Sequence, residues 1–170
     1  MVTVESVVVW RGPMPRRTRR GAIESPIRYV QDWKHNGYCF FDSPAVIREV
    51  ARAHGIDVEE MRLFYYEMHA LEFDDTDRAW RPFEPEPSFA TDVLVPRVKT
   101  IEGFDVVTYS CGTVAECSPL SCNGVAKEVD VNRHCLLASL DDARRLLDQG
   151  AFDGTEPGPF RILAVHSTAW

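Results

Sequence analysis

The feature that most limits what this chain can fold into is a short apolar run feeding a capped amphipathic helix, and it occurs twice. Residues 38–54, YCFFDSPAVIREVARAH, lie over residues 134–150, HCLLASLDDARRLLDQG, at an offset of 96 with no gap. Cys39 meets Cys135, Ser43 meets Ser139 and Arg48 meets Arg144, while Phe40 and Phe41 meet Leu136 and Leu137. Asp42 or Ser43 offers a side-chain oxygen to the orphan N–H groups of a first turn. Pro44 suits that turn because its missing N–H has no partner there. Val46, Ile47, Val50 and Ala51 then share one helical face, and Gly55 ends the helix. Ser139 opens the second helix, Leu140 to Gln149, which Gly150 stops.

Around these helices the chain reads as strands. Val4 to Trp10 is β-branched and runs into a turn at Arg11-Gly12-Pro13. Residues 57–73 are ambiguous. Asp57 and Glu60 resemble a capping box, but the run Phe64-Tyr65-Tyr66 and the alternation of Leu63, Tyr65, His69, Leu71 and Phe73 favour a strand over 62–73. Trp80 to Pro87 reads as a proline-stiffened connector. Phe89 to Val95 reads as a short strand, Phe104 to Tyr109 as a clearer one, and Phe160 to His166 as the last. The order predicts a single α+β domain over residues 1–170, with pseudo-repeat halves 1–88 and 89–170. The expected form is a sheet of about four to six strands with two helices on one face, in a ferredoxin-like βαββαβ plan from a possible internal duplication.

Charge narrows the function. The 170 residues carry a net charge of -7. Residues 1–28 hold six arginines against two glutamates, a balance of +4, which leaves the rest strongly acidic. An acidic body disfavours nucleic acid as a partner, while Arg11, Arg16, Arg17, Arg19 and Arg20 suit a small anionic ligand. No apolar run reaches the length that spans a bilayer, and the N-terminus lacks the pattern of a signal peptide, so no membrane partner is expected. An odd cysteine count fits reduced thiols and a cytoplasmic location.

Four of the five cysteines, Cys111, Cys117, Cys122 and Cys135, fall in one segment with His134. Thiolate and imidazole suit tetrahedral zinc, but the intervals of five, four and eleven residues lack the close pairs of a zinc knuckle, so no metal is expected. Cys122 lies in the turn-rich run Ser118 to Gly124, where a histidine would lower its pKa and make it a nucleophile. His134, His166 and His69 are candidate bases, with Asn132 or Asp130 to orient the base. No Walker loop, Rossmann glycine pattern, zincin helix or EF-hand loop is present, so the cofactor is left unspecified.

In the first half, Trp10-Arg11-Gly12, the run Gly37 to Ser43 and Glu84-Pro85-Glu86 come in the order in which mono-ADP-ribosyltransferases place their motifs. The chain resembles that family there. The resemblance implies NAD bound through Arg11, Ser43 and the two glutamates. It covers only the first half, holds one serine of the family's triplet, and puts Pro85 between the glutamates. The sequence as a whole favours a binding or interaction protein. Loops 13–37 and 111–135 would form its cleft, Cys111 and Cys117 would line it with the arginines, and a small anion or a protein would be the partner. The alternative is an enzyme with Cys122 as nucleophile, His134 as base and Asn132 in support.

Overall fold

The computed structural model describes residues 8–11, 43–53, 62–83, 95–109 and 118–169. Strand β1 (Val8–Arg11), helix α1 (Pro44–Ala53), strands β2 (Leu63–Asp74), β3 (Ala79–Pro82) and β4 (Lys99–Thr108) come first. Helices α2 (Pro119–Cys122) and α3 (Leu140–Asp148) and strand β5 (Phe160–Thr168) follow, with a 3-10 turn at Val125–Lys127 after α2. Residues 4–7 of the expected strand Val4–Trp10, residues 89–94 of the expected strand Phe89–Val95 and the loop at 13–37 lie outside the described residues, as do Arg16, Arg17, Arg19, Arg20, Cys111 and Cys117.

The sheet is antiparallel throughout, in the order β1-β2-β5-β4. β3 pairs with β2 and prolongs the edge that β1 begins, since Phe73 pairs with Trp80 on that side and with Phe160 on the other. This is the α+β class expected, but the strand order is not that of a split βαβ sheet. There, another strand separates the two strands of each unit. Here β1 pairs directly with β2, and β4 directly with β5. The order is symmetric about the β2–β5 seam. The same offset of 96 carries residues 44–52 onto α3, 8–11 into β4, and 64–72 onto β5.

Two segments differ from the sequence expectation. Residues 80–82, read as the start of a connector, belong with Ala79 to β3. Asp74 Oδ1 accepts the N–H groups of Thr76 and Asp77 at 2.9 and 3.0 Å, and this turn brings the chain back beside β2. Pro82 is tolerated because it closes an edge strand, where a missing donor breaks no central ladder. The described part of the cysteine-rich segment, read as loop, contains α2 and the 3-10 turn. Ser118 in extended backbone followed by Pro119 starts that short helix.

Both faces of the sheet are covered. On one, Val106, Ile162, Phe160 and Phe73 pack with Ala143, Leu146 and Leu147 of α3, and with Val125, Leu137 and Phe152. On the other, Tyr66, Met68, Val107, Leu163 and Val165 pack with Tyr109 and Leu136. α3 begins where the sequence places it. Ser139 accepts the Asp142 N–H at 3.0 Å and donates its hydroxyl to the Asp142 carboxylate at 2.7 Å. The β2–β3 hairpin holds its other end. Arg78 donates to the Asp148 carbonyl at 2.8 Å, and Trp80 Nε1 to the Asp148 carboxylate at 2.9 Å.

The outer edge of β4 carries one further segment. Phe104 and Leu137 exchange two backbone hydrogen bonds of 2.9 Å, so the apolar run before α3 lies along β4. The approach depends on Gly103, which sits in a bulge at φ 147°. A Cβ there would lie 2.7 Å from both Leu136 Cβ and the Leu137 carbonyl oxygen. We expect Gly103→Ala to lower unfolding free energy by about 2–3 kcal/mol, combining backbone strain with displacement of the 136–137 segment. Urea denaturation against the unaltered chain measures this; a loss below about 0.5 kcal/mol would show that the segment shifts freely.

Candidate functional site

The β2–β5 register gathers ionisable side chains that the sequence keeps almost a hundred residues apart. Tyr65 pairs with His166 and Glu67 with Ala164, while Ile101 of β4 pairs with His166 from the other side. Because alternate residues of a strand share a face, Tyr65, Glu67 and His166 project together on the α3 side of the sheet. His69 joins them one step further along β2. A pocket of about 290 Å³ opens there, lined by Glu67, His69 and His166 with Met68, Ile101, Phe104, Leu140, Ile162 and Ala164.

At one end of the pocket, Glu67 is the hub. Its carboxylate is paired with the Lys99 ammonium and lies 3.1 Å from His166 Nε2. A carboxylate only accepts, so Nε2 carries the proton and Nδ1 keeps the lone pair. Burial, opposed by Glu67 and assisted by the Lys99 charge, lowers the His166 pKa, so the ring is held neutral near pH 7. The Tyr65 phenol is pushed far above its ordinary range by burial first, then by the charge of Glu67 and its hydrogen bond to it. Lys99 also lies 4.9 Å from the centre of the Tyr65 ring. The result is a neutral base and a charge-balanced carboxylate in one apolar recess, with the buried Tyr65 phenol hydrogen-bonded to that carboxylate.

At the other end, His69 Nδ1 accepts the Leu71 N–H at 3.1 Å, and Arg144 Nη2 lies 3.3 Å from His69 Nε2. Burial and the Arg144 charge lower the His69 pKa. Arg144 comes from α3 and stacks with its guanidinium carbon 5.5 Å from the centre of the Trp80 ring.

The residues singled out in the sequence fall elsewhere. Cys122 is exposed at the end of α2, and Cys135 is half-buried. Cys135, not Cys122, shares a pocket with His134. That second pocket, of about 200 Å³, opens on the opposite face between Phe64, Tyr66, Asp105, Ser118, Ser121 and Leu136. His134 Nε2 accepts from Arg133 at 3.0 Å and lies 3.9 Å from Glu102. Asn132 supports the turn rather than the imidazole. Its Oδ1 accepts the His134 and Leu136 N–H groups at 2.8 and 3.2 Å, and its Nδ2 donates to the Glu102 carbonyl at 2.6 Å. Ser43 caps α1 by accepting the Val46 N–H at 3.3 Å. Arg11 ends β1 opposite Phe64, and Glu84 and Glu86 lie outside the described residues.

Among the described residues, no cluster of histidine, cysteine or carboxylate side chains suits a metal ion, and no helix is long and apolar enough to cross a membrane. The histidines of the α3-side pocket were visible in the sequence only as separate candidates. Their partners Glu67, Lys99 and Arg144 carried no motif, and only strand register brings them together.

The lowered histidine pKa values set a direction for stability. Unfolded, each imidazole takes up a proton near its ordinary value of about 6.5; folded, His69 and His166 resist it. Stability is therefore full above about pH 6.5 and falls as pH drops through the native values. We expect the urea midpoint to decrease between pH 7.5 and 5.5, and the paired substitution of His69→Gln with His166→Gln to flatten that slope. An equal slope in both proteins would contradict it. Comparison with known proteins adds no relative: no family model, no curated protein and no solved structure matches this chain.

Proposed function

We propose that this chain is a small-molecule-binding protein whose ligand occupies the pocket on the α3 side of the sheet. One observation carries the reading: apolar walls from Ile101, Phe104, Leu140, Ile162 and Ala164 surround three polar side chains, Glu67, His69 and His166. Ligand sites combine apolar lining with a few fixed polar groups in this way. At about 290 Å³ the pocket is at the lower end of such sites, which favours a small ligand.

The position of the pocket supports the reading further. Glu67, Met68 and His69 come from the first half, and the other lining residues come from the second. The symmetric strand order and the recurring offset of 96 support descent of the halves from one duplicated unit. A recess on the seam between such halves is a place where ligands are commonly held.

The His166–Glu67 bond favours a second reading at the same pocket, proton transfer. A neutral imidazole oriented through Nε2 keeps a basic Nδ1, which is what a general base requires. The Cys122 reading rests on an exposed thiol that lines neither pocket described above.

The test uses a neutral probe. Hexan-1-ol should show saturable binding by NMR, with shifts concentrated at Met68, Ile101, Phe104 and Ala164. Ala164→Phe, which fills the recess from β5, should weaken binding at least tenfold while leaving the thermal transition cooperative. No saturable binding to the unaltered chain, or shifts scattered away from the pocket, would overturn the proposal.

A further inference from the structure

The polar contacts around His69 do not close among themselves. Leu71 N–H lies 3.1 Å from Nδ1 and Arg144 Nη2 lies 3.3 Å from Nε2, so the ring meets a donor on both nitrogens. A neutral imidazole has one lone pair. With the proton on Nε2, that N–H confronts the Arg144 guanidinium. With the proton on Nδ1, the ring reaches the Leu71 carbonyl only at 3.5 Å and confronts the Leu71 N–H instead. Either tautomer leaves two donors facing each other. A third donor lies on the same guanidinium: Arg144 Nε is buried without a hydrogen-bond partner, and the guanidinium adjoins the pocket through His69, which lines it. Nε and Nη2 share one edge of the guanidinium, the edge that grips two oxygens of one anion.

Resting on the small-molecule reading above, we propose that the pocket selects a small monocarboxylate with an apolar chain, its carboxylate bridging the Nε/Nη2 edge of Arg144 and the Nε2–H of His69. One carboxylate answers all three donors. The shorter Leu71 bond then fixes the tautomer, with Nδ1 accepting and Nε2 donating to the ligand. Leu140, one turn before Arg144 on α3, lines the pocket, so the apolar chain runs from the guanidinium between Leu140, Phe104, Ile162 and Ala164 toward Ile101. Ile101 is about half exposed and marks the mouth.

The far pole argues for a single charge. Glu67 lies in the same pocket, and Lys99 and His166 already hold its carboxylate. A doubly charged phosphate monoester would add repulsion from Glu67, whereas the one carboxylate is matched by one guanidinium. The stacking of Arg144 on Trp80 and the tie from Trp80 to Asp148 keep the guanidinium edge oriented before the ligand arrives.

Calorimetric titration of the full chain at pH 7.5 with sodium hexanoate and, separately, with hexan-1-ol tests the assignment. Hexanoate should bind at least tenfold more tightly than hexan-1-ol. Arg144→Met, which keeps an unbranched chain against Trp80, should abolish that preference while retaining hexan-1-ol binding. Arg144→Lys keeps the charge but not the two-donor edge, and should lose most of the preference. If hexan-1-ol binds as well as hexanoate, or if Arg144→Met keeps the preference, the carboxylate assignment is wrong and the pocket reading stands. If neither probe binds the unaltered chain, both fall together. Should Arg144→Met fail to give a cooperative thermal transition, the comparison of hexanoate with hexan-1-ol on the unaltered chain and on Arg144→Lys decides.

Discussion

The antiparallel pairing of β2 with β5 is the interaction on which the rest of the molecule depends. It joins the two halves at the centre of the sheet and fixes which side chains meet across it. Register in a half-buried sheet is unforgiving, because a slip of one residue sends every side chain to the opposite face. Tyr65 beside His166 and Glu67 beside Ala164 are direct products of that register. The irregularity between Met68 and Glu72 lets the pairing resume at Glu72 and Phe73, so the far end of β2 also reaches Arg161 and Phe160.

Helix α3 was the most legible element. Ser139, the acidic first turn and Gly150 are local signals, and local signals survive without tertiary context. β2 was harder to read because Tyr66 and Met68 are buried as well as Tyr65, His69 and Phe73. A strand covered on both faces loses its two-residue alternation and can mimic a helical period. β3 was hidden behind the prolines that follow it, although only Pro82 belongs to the strand. Strand order was not legible, since interleaved and adjacent pairing use the same sequence of elements.

The site was legible in its histidines and not in its geometry. Clustering along the chain drew attention to the cysteine segment, where His134 and Cys135 are sequence neighbours that do share a pocket. The richer array joins residues 67, 69, 99, 144 and 166 from four elements, and no spacing rule connects them. What distinguishes it is the balance of charge and burial. Lys99 offsets Glu67, which lets a carboxylate sit beside apolar walls, and burial keeps both imidazoles uncharged. Arg161 shows the same economy on the other face. Its guanidinium lies 3.7 Å from the centre of the Phe83 ring and 4.1 Å from that of Tyr109, and it bonds Glu72 at 2.9 Å.

The segment that Gly103 admits beside β4 also bears on how copies of this chain behave together. An open rim on a sheet is a template for strands of neighbouring molecules. The Leu137–Phe104 bridge and the Asn132 bond to Glu102 occupy the middle of that rim. Val98 and Ile101, both exposed, lie toward its beginning. Detaching residues 132–137 would therefore do more than loosen the approach to α3. It would expose the backbone groups of Phe104 that now pair within the chain, so a glycine that leaves room for residues 136 and 137 is what lets the molecule cover that stretch with its own backbone.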